Sequence, residues 1–210
     1  MNKKSVLLLL VLLFSVLPFT SQDIKAASEW DQAVTVYGAA LESNPDLQDQ
    51  TAELLGATDS DMVDFVYSED VNQYINQSYD NSVLMSSIRI QQTDEGSGLK
   101  INIDESLGNI TMISEETYQN ALLTSGITDA DVTIAAASDV TGESALAGVY
   151  KAYANQGEEI DPERTQNAQD ELDGISDISS ENESVEGFSQ AQLNKVITEV
   201  KVEIIIIFYG

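Results

Sequence analysis

The sequence predicts an α/β (or α+β) protein whose mixed sheet is built from two similar strand–helix–strand–helix units with an inserted central hairpin, followed by a helical C-terminal tail. Three observations carry that expectation. Short β-branched runs alternate with segments of helical spacing along most of the chain. The phrase Gly56-Ala57-Thr58-Asp59-Ser60-Asp61 returns as Gly126-Ile127-Thr128-Asp129-Ala130-Asp131. Each copy follows a helical pattern and precedes an apolar run, as expected of a duplicated unit whose parallel strands are joined by helical crossovers.

Residues 33–37 alternate and are β-rich up to Gly38, although Trp30, Val34, Tyr37 and Leu41 also fall at helical spacing. Asn44-Pro45 then reads as an N-cap followed by proline at the first helical position, with Gly56 as the stop. Residues 62–67 form a short strand, and Ser68 opens a helix through Ile75. Two alternating runs, 87–90 and 99–103, flank the Gly-containing loop 94–98 and predict the hairpin. A strand at 109–113 leads to Ser114, the cap of a helix that ends at Gly126. Residues 132–137 read as a strand buried on both faces. Ser138 stands where Ser68 stood, and a helix from Thr141 or Gly142 puts Leu146, Val149, Tyr150 and Tyr153 on one face.

Beyond Gly157 the character changes. Asp161-Pro162 starts a helix, and 173–186 is acidic and Ser-rich, the composition of a linker. Helical spacing returns through Leu193, Val196, Ile197 and Val200. Residues 204–210 form a flat apolar end, read either as a final strand or as the product of a shifted frame or truncation. The domain organisation expected is therefore a signal peptide at 1–26, a duplicated α/β domain at 27–157, an acidic linker with helical segments at 158–203, and the apolar end at 204–210.

The N-terminus sets the expected compartment. Lys3 and Lys4 precede an apolar run over 6–17, and Ile24 and Ala26 suit cleavage after Ala26. That run is shorter than the roughly 20 residues a membrane-spanning helix needs. The expectation is an exported protein of a Gram-positive type of bacterium, extracellular or associated with the cell surface.

Composition narrows the chemistry. The chain carries 9 basic and 36 acidic residues, a formal charge of −27, with no Cys and no His. Loss of residues 1–26 would remove three Lys and one Asp and bring the charge to −29. Such a surface repels nucleic acid, and anionic lipid once the signal is cleaved. Without Cys or His there is no disulfide, no Ser-His-Asp or Cys-His catalysis and no ordinary zinc hydrolase. Carboxylate-pair, Ser-Lys or oxygen-ligand metal chemistry remains. Ser97-Gly98-Leu99-Lys100 spells S-x-x-K, but on a strand entry residues three apart point to opposite faces.

The candidate site residues are Asp59, Asp61, Asp129 and Asp131. If the two units face each other, four carboxylates converge, which suits calcium and its several oxygen ligands. Asp after a helix-ending Gly also makes turns and caps with no ligand at all. Residues 59–70 fail as an EF-hand loop: Asp64 stands where Gly is required, Val63 replaces an oxygen ligand, and Asp70 replaces the final Glu. Glu143 opens its helix beside Gly142, where it complements the helix dipole or competes with a bound anion.

A family resemblance rests on Gly96-Ser97-Gly98, Asn109-Ile110-Thr111, Tyr118-Gln119-Asn120-Ala121, Ser125-Gly126-Ile127, Val140-Thr141-Gly142-Glu143-Ser144-Ala145-Leu146-Ala147-Gly148 and Lys151-Ala152-Tyr153. Gly38-Ala39-Ala40-Leu41, Leu54-Leu55-Gly56 and Val66-Tyr67-Ser68-Glu69-Asp70 fit more loosely. With these residues the chain resembles the YpuA-like family of secreted bacterial proteins of unknown function (DUF 1002). The resemblance implies export and a shared fold but no reaction. It also implies a further helical segment after 201–204, where this chain reads Ile205 to Gly210 instead.

Three functional readings follow. The first is a non-enzymatic extracellular binding protein for divalent cations, calcium above all, or for a basic peptide or cell-wall component. The second is a carboxylate-based hydrolase of cell-wall polymers with unassigned catalytic residues. The third is a truncated, non-functional product.

Overall fold

A computed structural model describes residues 30–209 apart from 183 and 186; the expected signal segment, 1–26, lies outside the described residues. The strands are β1 (Val34–Gly38), β2 (Met62–Val66), β3 (Ser87–Gln92), β4 (Leu99–Asp104) and β5 (Ala130–Ala135). The α-helices are α1 (Pro45–Leu55), α2 (Ser68–Ile75), α3 (Glu115–Thr124), α4 (Glu143–Asn155), α5 (Pro162–Asn182) and α6 (Gln190–Tyr209). The strands make one mixed sheet in the order β2-β1-β3-β5-β4, so the α/β expectation is met.

Alternation along the strands divides the core. Val34 and Val36 of β1, Ile88 and Ile90 of β3 and Val132 and Ile134 of β5 face a large cluster closed by Tyr118 and Leu122 of α3 and Leu146, Val149 and Tyr150 of α4. Tyr37 and Ala135 face the other way, where Leu55 of α1 and Leu41 form a smaller cluster. Trp30 is packed edge-to-face on Tyr153 at 4.8 Å and closes one end of the large core. At Gly38 any Cβ would sit 2.2 Å from the Leu84 carbonyl oxygen, so only glycine lets the two chains cross there.

The hairpin is replaced by a wider arrangement. β5 enters between β3 and β4, pairing antiparallel with β3 through Ile88–Ile134 and parallel with β4 through Ile101–Val132. Alternation fixes which residues face the core but not which strand lies alongside, and α3 carries the chain from β4 into a parallel β5. The strand expected at 109–113 contracts to a single bridge between Ile110 and Val140. In β5 only the C-terminal half is buried on both faces; Asp131 is exposed and Thr133 partly so.

The repeat is only partly structural. β1–α1–β2 and β4–α3–β5 both join parallel neighbours, yet α1 lies in the small cluster and α3 in the large one. The first helices of the two units thus cover opposite faces of the sheet. Ser68 opens α2 as expected, but Ser138 opens nothing: α4 begins after Gly142. Residues 173–182 are helix, not linker, because α5 buries Ala168 and Ile175 and packs Leu172 on the core. In place of a final strand, α6 continues through Tyr209.

The sheet edge at β2 is closed by side chains. Lys151 Nζ donates to the Phe65 carbonyl at 2.6 Å, and the Phe65 N–H donates to Asp64 Oδ1 at 2.7 Å, which occupies edge groups that would otherwise invite another strand. Among the described residues no helix is long and apolar enough to cross a membrane.

Candidate functional site

The four aspartates of the repeated phrase do not share one environment. Asp61 lies just before β2 with its side chain 2% exposed, and the Arg89 guanidinium of β3 grips it through Nε at 2.7 Å and Nη2 at 3.2 Å. Thr35 Oγ1 at 2.9 Å and Thr58 Oγ1 at 2.7 Å also donate to it. Burial pushes its carboxyl up, but the bonds from Arg89, Thr58 and Thr35 outweigh that and hold it at about 2.

Asp129 serves the turns, accepting from the Gly98 N–H at 2.8 Å and from its neighbour Thr128 Oγ1 at 2.7 Å. Asp131 pairs with Lys100 at 3.2 Å on an exposed stretch of sheet, which also takes Lys100 away from Ser97. Asp59 is exposed on its turn. Among the described residues no group of three or more acidic side chains is placed to hold a metal ion. Two hollows, of about 400 and 370 Å³, lie between α3 and α6 and around Met112; neither is lined by these aspartates.

The start of α4 is held by buried and half-buried tyrosines. Gly142 supplies the helix N-cap at φ 115, and a Cβ there would meet the Tyr118 hydroxyl at 2.7 Å and Ile110 Cγ2 at 2.8 Å. Tyr118, fully buried, donates to the Gly142 carbonyl at 2.7 Å and fixes that turn. Glu143 follows immediately and accepts from the Tyr79 hydroxyl at 3.2 Å.

α5 packs against α2, α3 and α6. Gln169, 3% exposed, donates through Nε2 to Asp173 Oδ1 at 3.0 Å, while its own Oε1 is buried without a donor. Burial raises the Asp173 carboxyl above its usual range, partly offset by the Gln169 bond and reinforced by the charges of Asp170, Asp177 and Glu143. Burial likewise raises the Tyr79 phenol, helped by Glu143 and then by Asp173.

Glu143 stands out in the sequence as the first residue of a helix, but Asp173 falls in what reads as a linker, so its helical placement is hidden there. The signal that exposes it is the spacing of Ala168, Leu172 and Ile175, which marks a buried helical stripe with Gln169 and Asp173 one turn apart beside it.

Over residues 37–206 the sequence matches a family model described as "Protein of unknown function (DUF1002)". It is also 36% identical over 111 residues to "Uncharacterized protein YpuA" of Bacillus subtilis (strain 168), across 52% of this chain and 37% of that relative. The chain thus aligns with little more than a third of the length of this relative. No solved structure matches.

Proposed function

The chain belongs to the DUF1002 family of proteins of unknown function, and from that premise we propose that it is an exported, non-enzymatic binding protein whose partner is basic. The observation that carries this reading is the net charge of −27. Arg89, Lys100, Lys151, Lys195 and Lys201 are committed to other acids: Asp61, Asp131, Asp64 with Asp70, Glu199 and Glu171. Export rests on Lys3, Lys4, the apolar run 6–17 and the small residue Ala26.

A calcium module is the weaker form of the proposal. Asp61, Asp129 and Asp131 already spend their oxygens on Arg89, Gly98 and Lys100. A carboxylate-based hydrolase has one observation in its favour, the raised carboxyl of Asp173, since such an acid can hold a proton for transfer.

Thermal unfolding separates these readings. A lysine-rich peptide present at 100 times its dissociation constant stabilises by about 2.7 kcal/mol and raises the midpoint. Calcium and magnesium at matched ionic strength are expected to give equal, small shifts from screening. A calcium-specific shift abolished in the Asp61→Asn/Asp131→Asn variant would instead establish a metal site. Incubation with cell-wall fragments is expected to release no new ends; release that disappears in Asp173→Asn would replace binding with hydrolysis.

A further inference from the structure

We propose that the outer edge of β4, with the hollow beside Ile103, is a docking site for an extended peptide that joins the sheet as a further strand and lays a Lys or Arg side chain into that hollow. The proposal rests on the reading of the chain as a binder of basic partners and gives that reading a surface and a partner conformation.

The sheet has two edges, β2 and β4, and they are finished differently. At β2 Lys151 and Asp64 occupy the outward groups of Phe65. At β4 the Ile103 N–H points away from β5 and donates to Glu115 Oε1 at 3.0 Å. Backbone groups of an edge strand alternate between its neighbour and solvent, so the N–H and C=O of Leu99 and Ile101 face outward as Ile103 does. Among the described residues no partner meets those two N–H groups. Such an edge is a template for another strand. A lysine can blunt it, but Lys100 leans the other way, over β5 to Asp131 at 3.2 Å.

The open edge leads into the hollow of about 370 Å³, whose wall includes Ile103, Ile110 and Met112 and whose acids are Glu105, Glu115 and Glu116. Ile103 belongs to both, so a strand paired with Leu99 and Ile101 reaches the hollow one step further on. Met112 is 58% exposed, an apolar surface open to an incoming chain. Glu115 is fixed by the Ile103 N–H and Glu105 by the Ile110 N–H at 3.2 Å, each through Oε1 alone. A side chain with an apolar stem and a cationic head matches this wall: the stem lies on Ile103 and Met112, and the head meets the carboxylates. Among the described residues no Lys or Arg lines the hollow. Main-chain bonds along the edge supply affinity, and the hollow selects the side chain. Charge argues against a second copy as the occupant, since two chains of −27 repel each other.

The test is titration of the full chain with an acetylated, amidated peptide of alternating Thr and Val that carries one central Lys, read by affinity and by amide hydrogen exchange. The same peptide with norleucine in place of Lys is the uncharged control, and a copy N-methylated at alternate residues removes the main-chain donors. The Lys peptide is expected to bind and to slow exchange at the Leu99 and Ile101 amides, and the N-methylated copy to bind far more weakly. Glu105→Gln/Glu116→Gln is expected to weaken the Lys peptide roughly tenfold and leave the norleucine peptide unchanged. Met112→Ser is expected to weaken both, and Asp59→Asn, on the exposed turn, neither. Binding that leaves the Leu99 and Ile101 amides exchanging as before would overturn the site while leaving the basic-partner reading in place. Equal affinity for the norleucine peptide would overturn the cationic side chain as the occupant of the hollow. Amides already protected in the free chain, with a dimer by sedimentation equilibrium, would put a second copy on the edge instead. No binding of the Lys peptide would overturn the docking site, and the basic-partner reading would then be decided by the lysine-rich peptide in thermal unfolding.

Discussion

The Asp61 carboxylate accepts from Arg89, Thr58 and Thr35 with its side chain 2% exposed, so it is ionised and held in place. Its folded value of about 2 lies below the 3.8 of a free aspartate. A depressed acid contributes stability that is present above the unfolded value and lost as pH falls through the folded one. The contribution is roughly 2 kcal/mol, present above about pH 4 and gone near pH 2. Asp61→Asn is expected to lower stability at neutral pH by about 2–3 kcal/mol, because Arg89 then loses its charged partner. Urea unfolding of both chains between pH 2 and 5 checks this: the gap should close as the pH falls, and a constant gap would mean another group titrates. Asp131 holds the equivalent place in the repeated phrase yet sits on exposed sheet beside Lys100. The phrase marks a turn before a strand in both copies, and so much was legible. What fills the space above each turn depends on neighbouring strands, and no local spacing encodes them.

At the scale of elements, α6 shows where periodicity misleads. Leu193, Val196, Ile197 and Val200 are the stripe a sequence reader would bury, but Val196 is 49% exposed and none of the four joins a core cluster. α6 instead turns Asn194, Thr198 and Lys201 toward α3. Asn194 Nδ2 donates to Thr117 Oγ1 at 3.0 Å, Thr198 Oγ1 to Asn120 Oδ1 at 2.9 Å, and Lys201 Nζ to the Asn120 carbonyl at 3.0 Å. Lys201 also meets Glu171 of α5 at 2.5 Å, both side chains largely buried. The outer face of α3 is polar, so the helix that covers it must be polar too; the apolar period of α6 alone cannot reveal that. The central strands teach the same lesson, since β3 and β4 were recognisable as strands while β5, 26 residues beyond the end of β4, supplied the partner between them. Removing one member of a buried pair leaves the other charge stranded, at a cost of about 3–5 kcal/mol. Lys201→Met should therefore free α6 before anything else opens. Hydrogen exchange should accelerate over 190–201 and 114–124 while 143–155 stays protected, and Glu171→Leu/Lys201→Leu should recover much of the loss. Uniform acceleration that includes α4 would show that α6 and the sheet unfold as one unit.

Over the whole molecule, the acidic surface and the buried phenols act together. With 36 acidic against 9 basic residues, the chain surrounds its tyrosines with negative potential. Burial is the main reason the phenols of Tyr37, Tyr118, Tyr150 and Tyr153 titrate above 10. Asp61 and Asp49 add to it at Tyr37, and Glu143 at Tyr118. At Tyr150 the Ser125 hydroxyl opposes burial and Glu171 reinforces it, while Glu158 and Asp129 reinforce it at Tyr153. For a phenol raised in the folded state, the stabilisation is complete below the unfolded value of about 10 and is lost as pH climbs toward the folded one. Four such groups tied to one core make alkaline unfolding cooperative, because each ionises readily only after the packing has opened. Tyrosinate absorbance followed together with far-ultraviolet circular dichroism tests this. The half-buried phenols of Tyr67, Tyr74 and Tyr79, also raised by burial first, should titrate ahead with the helices intact, and the buried set should follow in a single step that coincides with loss of secondary structure. Smooth ionisation of all eight tyrosines near pH 10 with the circular dichroism unchanged would mean that the phenols of α3 and α4 are open to solvent, and that the large core is not closed as described.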